Sequence, residues 1–120
     1  MNTILIVEDM ELNRELLAQL LEDEHKLIFA EDGLTALEVV AETGPDLILM
    51  DLSLPRMDGW EVTRRLKADP ALRHIPVIVL TAHAMRGDEE RCLDAGMDGY
   101  VSKPIDPRRL ADALASVAGA

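Results

Sequence analysis

Leu47-Ile48-Leu49-Met50-Asp51-Leu52-Ser53-Leu54-Pro55 is a run of large apolar residues closed by a carboxylate and a short turn, with Met57-Asp58-Gly59 just beyond. An apolar run this short, bounded by turn residues, reads as a buried strand over residues 46–50. An Asp at the carboxyl end of such a strand stands where ligand and catalytic sites gather in open α/β sheets. The rest of the chain decides whether Asp51 has the neighbours such a site needs.

Working outward, the same pattern recurs. Residues 3–7 are continuous apolar and β-branched, and Glu8-Asp9 close them. Leu12, Leu16, Leu17, Leu20 and Leu21 then recur at helical spacing through residues 11–24. Residues 26–30 form a second short strand. Leu34, Leu37, Val40 and Ala41 mark a second helix that stops at Gly44-Pro45, a C-cap glycine with a proline behind it. After Asp51, Asp58 is the expected N-cap of a helix over 59–67, with Glu61 completing a capping box. Pro76 opens a fourth strand over 77–80, and Thr81-Ala82-His83 follow it. A short acidic helix over 87–95 ends at Gly96, and a fifth strand over 99–102 leads to Lys103-Pro104. Asp106 caps the last helix, with Pro107 at its first position and Leu110, Ala113, Leu114 and Val117 on its inner face. Strands and helices alternate throughout. Continuous apolar strands with helices between them mean a parallel sheet covered on both faces.

The chain has 120 residues, enough for one domain with its own core. It is 48% hydrophobic and 29% charged, as a soluble globular chain is, yet only 2% aromatic, so Leu, Val, Ile, Ala and Met must build the core. No apolar stretch reaches the length of a transmembrane helix, and no membrane association is expected. The first residues lack the basic region of a signal peptide, so a cytoplasmic location is expected. Cys92 is alone, which excludes an internal disulfide and reads as a small core hydrophobe. With 23 acids against 12 bases the formal charge is −11, which argues against direct nucleic-acid binding. His25, His74 and His83 share no metal-ligand spacing.

The polar residues at the strand ends form a set. Glu8 and Asp9 end the first strand, Asp51 the third, Thr81 the fourth, and Lys103 stands at the end of the fifth. Taken singly, each has an ordinary structural explanation: acids open helices, Asp serves turns, and lysines are solvated. Together they present three carboxylates, a hydroxyl and an ammonium. Close carboxylates repel and need a cation or a raised pKa. All-oxygen ligands in small number suit Mg²⁺. A carboxylate can then act as a nucleophile toward a phosphoryl group, with the cations and the hydroxyl stabilising its oxygens.

With these pieces in order, the chain resembles the receiver domain of two-component response regulators over its whole length. The resemblance rests on residues 4–9, 46–59, 77–82 and 95–104. It implies a flavodoxin-like (CheY-like), doubly wound, five-stranded parallel sheet in the order 2-1-3-4-5 with five helices. It implies that Asp51 takes a phosphoryl group from a phosphohistidine on a histidine kinase or histidine phosphotransfer protein. It gives Asp9, Asp51 and the backbone carbonyl of Ser53 to the Mg²⁺ site as ligands, with Glu8 at the same site acting largely through water. Thr81 becomes the switch hydroxyl, Lys103 the phosphate-pairing lysine and Tyr100 the aromatic switch. A cis Lys103–Pro104 bond is implied as well.

A stand-alone receiver at residues 1–120 without an output domain is therefore the leading expectation. It would be a switch and not a turnover enzyme on external substrates. It would act on a target protein through the fourth helix, fifth strand and last helix, around Arg91, Tyr100 and Asp112. Donor docking is expected near Asn13 and Arg14, with Asn13 read as helix surface. The alternatives are a relay intermediate, a fragment of a hybrid kinase or larger regulator, and an aspartyl-nucleophile phosphohydrolase. The last lacks its general acid, because Ser53 stands where such enzymes carry a second Asp. A flavin-binding domain of the same topology is disfavoured by the acidic, glycine-free loop Glu8-Asp9-Met10-Glu11. A monomer is the default.

Overall fold

The computed structural model describes residues 3–52, 54–81 and 88–118. Ser53, Ala82, His83 and Gly87, each given a place above, lie outside the described residues. Five strands and five helices alternate: β1 Thr3–Val7, α1 Glu11–Leu21, β2 Lys26–Ala30, α2 Gly33–Thr43, β3 Leu47–Asp51, α3 Gly59–Ala68, β4 Val77–Thr81, α4 Asp88–Asp94, β5 Gly99–Ser102 and α5 Pro107–Ala118. The strands form one parallel sheet in the order β2-β1-β3-β4-β5. The expected fold class and order are those observed. The third strand includes Asp51 itself, so the carboxylate belongs to the last paired residue and not to the turn.

The sheet is covered on both faces, as continuous apolar strands require. Alternate residues of each strand feed two cores. Leu5, Val7, Ile48, Met50, Val77 and Val79 pack with Ala36 and Val40 of α2, Val62 and Leu66 of α3 and Cys92 of α4. Ile4, Ile6, Leu47, Leu49, Ile78 and Leu80 pack with Leu17 and Leu21 of α1 and Leu110 of α5. The central strands β3 and β4 are buried at every position. Each fully buried Leu, Ile or Val contributes about 1.5–3 kcal/mol of transfer free energy, so these strands are the rigid frame that fixes the carboxyl-terminal edge.

Helix α1 departs from its periodic reading in two ways. It ends at Leu21, not at 24, because Glu24 and His25 donate their amides to the Leu21 carbonyl and turn the chain into β2. Leu12 and Leu16 are also exposed, at 74% and 38%. The inward stripe runs through Leu21 and Leu17 to Asn13 and Arg14, so at the strand-end edge the helix turns polar side chains inward and leaves Leu12 outside.

Loop chemistry fixes the other boundaries. Gly44 caps α2 in the left-handed conformation (φ 57°) that glycine adopts without a Cβ clash. Asp58 accepts from the Glu61 amide as expected. The Glu61 carboxylate does not reach back to complete a capping box. It is engaged by Arg64 and Arg65, whose guanidinium hydrogen bonds hold its pKa down to about 2. At the far edge, Lys67 Nζ donates to the carbonyls of Arg73 and Ile75 and to Asp98, tying α3 to the start of β4 and β5.

Asp32 is the N-cap of α2 and accepts from the Thr35 amide at 2.7 Å. That bond, with help from Arg56, holds its carboxyl below the ordinary range. A carboxyl held low adds stability that is complete above its unfolded pKa and drains as pH falls through the folded one. Asp32→Ala should therefore cost about 1 kcal/mol at neutral pH, measured by urea unfolding, and the gap to wild type should close as the pH is taken below 4, roughly the pKa of a free Asp.

Candidate active site

Four neighbouring strands deliver the site. In sheet order their ends carry Glu8 and Asp9 after β1, Asp51 closing β3, Thr81 closing β4, and Lys103 after β5. Register does the alignment: Val7 pairs with Met50, Asp51 with Leu80, and Thr81 with Ser102. Glu8 also extends the sheet, donating its amide to the Ala30 carbonyl at 3.0 Å.

Lys103 crosses the end of β4 to reach the acids. Its amide donates to the Thr81 carbonyl at 2.7 Å. Its Nζ lies 2.8 Å from Glu8 Oε1 and 3.0 Å from Asp51 Oδ2. The Lys103–Pro104 peptide is cis, as the resemblance implied. Burial works to depress the Lys103 pKa, but hydrogen bonds and attraction from Glu8 and Asp51 outweigh it and hold the pKa above its ordinary value. Glu8 is fully buried, and burial pushes its pKa up; Lys103 pulls it back while the Asp51 charge adds to the rise.

Carboxylate oxygens of Glu8, Asp9 and Asp51 all lie within 4.8 Å of one another. Three carboxylates against the single Lys103 ammonium leave two formal negative charges. A divalent cation matches that remainder, and an all-oxygen donor set with one exposed member, Asp9, suits a hard ion that keeps part of its water shell. The residues present thus fit a hard divalent metal. The fourth ligand expected, the Ser53 carbonyl, lies outside the described residues.

Asp51 is itself held from two sides. Its strand is buried throughout. Gly59, the first residue of α3, packs so closely that a Cβ there would sit 2.7 Å from the Asp51 carbonyl oxygen. The Gly59 amide donates to the Leu52 carbonyl at 3.0 Å. This close approach accounts for the glycine of Met57-Asp58-Gly59. The helix start is thereby anchored on the residue after the carboxylate.

Thr81 is buried and continues the face of β4 that carries Val77 and Val79. Tyr100 is half-buried, pairs in register with Val79, and packs on that same cluster. The two side chains therefore share one face of the sheet on adjacent strands, one pleat apart. Arg91 of α4 stacks over the Trp60 ring, 5.3 Å from its centroid.

One residue of this site escaped the sequence reading. Asn13 donates from Nδ2 to Glu8 Oε1 at 3.1 Å, and Arg14 donates to the Glu8 main-chain carbonyl at 2.8 Å. Asn13 was read as helix surface because the leucine spacing pointed the apolar stripe elsewhere, and Arg14 was expected only near the docking donor. The signal that could have found them is that Asn13 and Arg14 continue the Leu17–Leu21 stripe at helical spacing.

A parallel sheet whose central carboxylate meets two acids and a bridging lysine, with a threonine closing the neighbouring strand, defines a phosphoryl-accepting signalling switch. The chain belongs to the response regulator receiver domain family, which matches residues 4–115. It is 48% identical over 118 residues to the polar-differentiation response regulator DivK of Brucella anthropi, covering 98% of this chain and 96% of that protein. Among solved structures it is similar to the receiver domain of the sensor histidine kinase PA1611 from Pseudomonas aeruginosa, which has a magnesium ion coordinated in the active-site cleft. That structure is 36% identical, with a TM-score of 0.90 and coverage of 99% of this chain and 98% of that one. The Mn²⁺-bound form of response regulator Rcp1 is 34% identical with a TM-score of 0.79, covering 99% of this chain and 91% of that one. Receiver domains bind a divalent metal, engage histidine kinases and downstream targets, and act as switches. Among the described residues no helix is long and apolar enough to cross a membrane.

A ligand at 100 times its dissociation constant adds about 2.7 kcal/mol to stability. Saturating Mg²⁺ or Mn²⁺ should raise the melting temperature by roughly 10 °C. Asp9→Asn should remove most of that rise while easing repulsion among the acids, so that the metal-free melting temperature is equal to or above wild type. Differential scanning fluorimetry with and without the metal reads both effects.

Proposed function

We propose that Asp51 is the residue that accepts the phosphoryl group, that Mg²⁺ is the metal, and that Thr81, Lys103 and Tyr100 carry the response. The observation that carries this reading is the bridge from Lys103 Nζ to both Glu8 and Asp51. A partly buried ammonium already offsets part of the acids' charge, within a hydrogen bond of the carboxylate that would be modified.

The chemistry is a transfer between two nucleophiles. An Asp51 carboxylate oxygen attacks phosphorus of a phosphohistidine. The new O–P bond forms as the N–P bond of the donor breaks, and the imidazole leaves with the electron pair. The product is an acyl phosphate on Asp51. A Mg²⁺ held by Glu8, Asp9, Asp51 and the Ser53 carbonyl would supply charge neutralisation for the incoming phosphoryl oxygens. Lys103 keeps its charge throughout, because the two carboxylates raise its pKa, and it offers Nζ–H donors to the same oxygens. Rigid β3 and β4 hold Asp51 and Thr81 at the sheet edge, which favours pre-organised transfer.

The response follows from charge. Phosphorylation adds roughly −1.5 to −2 units of charge and three acceptor oxygens. Lys103 and the Thr81 hydroxyl turn toward them. Thr81 and Tyr100 share one face, so a shift of Thr81 changes the space available to Tyr100. Tyr100 lies on β5 beside α4, whose exposed Leu93 offers an apolar contact for a target protein. The partners proposed are a histidine kinase or phosphotransfer protein as donor, and a target that binds α4, β5 and α5. Action by contact alone, as a single-domain cytoplasmic regulator, is proposed with it; the match to the curated relative extends over 96% of that relative's length.

Incubation with Mg²⁺ and acetyl phosphate should add one phosphoryl group to wild type, seen by intact-mass spectrometry. The label should be absent from Asp51→Asn, and Lys103→Ala should accept it at least tenfold more slowly, about 1.4 kcal/mol of lost transition-state stabilisation. Equal labelling of wild type and Asp51→Asn would overturn the assignment. Steady phosphate release from simple phosphomonoesters would favour a phosphohydrolase instead.

A further inference from the structure

Glu8 is the most enclosed of the three acids of the site, and among the described residues the donors that reach its side chain can be named. Oε1 accepts from Lys103 Nζ at 2.8 Å and from Asn13 Nδ2 at 3.1 Å. Oε2 accepts from the Met10 amide at 3.2 Å. Its backbone is fixed as well, by the hydrogen bond its amide donates to the Ala30 carbonyl and by Arg14 on its own carbonyl. The N-terminal turn of α1 thus wraps this one residue.

Lys103 and Asn13 differ in what they do when the site is used. In the reading above, Lys103 turns from Glu8 toward the phosphoryl oxygens. Glu8 Oε1 then loses its charged donor. Asn13 is neutral, takes no part in that exchange, and is anchored on a different element. Its Nδ2 also faces the Met10 sulfur at 3.7 Å, so both amide hydrogens point to acceptors and the amide nitrogen is the group that must face Glu8. We infer that Asn13 is a positioning residue for metal binding. It holds the Glu8 carboxylate in place whether or not Lys103 is bound to it, so that Glu8 stays aimed at the cluster it forms with Asp9 and Asp51.

The inference rests on the proposed Mg²⁺ site. It follows the general rule that ligating carboxylates are themselves hydrogen-bonded, and that losing such a partner costs 10–100-fold in metal affinity or activity. It also gives a reason for α1 to turn Asn13 and Arg14 inward while Leu12 stays in solvent.

The test is calorimetric titration with Mg²⁺ alone on four proteins: wild type, Asn13→Ala, Asn13→Gln and Leu12→Ala. Metal-free melting temperatures of all four show whether each one folds. Asn13→Ala should bind Mg²⁺ about tenfold more weakly than wild type, with a metal-free melting temperature close to that of Leu12→Ala. Asn13→Gln keeps an amide donor on the half-exposed helix face and should stay within about threefold of wild type. Asn13→Ala binding within twofold of wild type would overturn the inference. So would Asn13→Gln binding as weakly as Asn13→Ala, which would assign the residue a packing role. Failure of wild type to bind Mg²⁺ would instead overturn the metal site on which the inference rests.

Discussion

The Lys103 ammonium lies between a fully buried Glu8 and the nearly buried Asp51, and the rest of the site depends on how that charge is shared. A buried carboxylate without a partner is costly, and removing one member of a buried pair typically costs 3–5 kcal/mol. Lys103 meets that need for two acids at once. It does so from the sheet edge, reaching across β4 while its own amide is tied to the Thr81 carbonyl. One lysine thereby couples β1, β3, β4 and β5. Any new anion at Asp51 competes with both carboxylates for it, and a cation among the acids relieves both of needing it. In the proposed switch the resting geometry is therefore poised, because a phosphoryl group on Asp51 would offer the Lys103 ammonium a further partner.

The scaffold divides into a part that stays and a part that can respond. Strands β1, β3 and β4 are continuous apolar segments inside two cores, and they fix Glu8, Asp51 and Thr81 relative to one another. Strand β5 is an edge strand of four residues with one buried position, and α4 is described from Asp88 to Asp94. Few buried contacts mean a low cost of local rearrangement. Tyr100, Lys103 and Arg91 all belong to this softer side, whereas the acids belong to the rigid one.

Most of this order was legible in the sequence because it is written in period and punctuation. Apolar runs ending in acids gave the strands and their polarity; Gly44, Pro45 and Pro76 gave the breaks; the parallel-sheet rule brought Glu8, Asp9, Asp51, Thr81 and Lys103 to one edge. What failed was local competition between equally plausible partners. Glu61 matched a capping box, yet two arginines one turn on outbid the backbone amide of Asp58. The leucines of α1 suggested a broad apolar face, yet the helix has only one stripe against the sheet, and its upper end faces polar groups. Asn13 was hidden for that reason: spacing reveals which residues share a face, but which face packs on the sheet appears only in the fold, where Leu17 and Leu21 are buried and Asn13 meets Glu8.

In the proposed switch Lys103 exchanges its partners when Asp51 is modified. The most direct measurement is a crystal structure of the protein with Mg²⁺ and beryllofluoride bound at Asp51. Lys103 Nζ should lie on a fluoride, out of hydrogen-bond reach of Glu8, with Thr81 drawn toward the same group and Tyr100 turned further in. A Lys103 still bridging Glu8 and Asp51, with Thr81 and Tyr100 where they are now, would contradict that exchange.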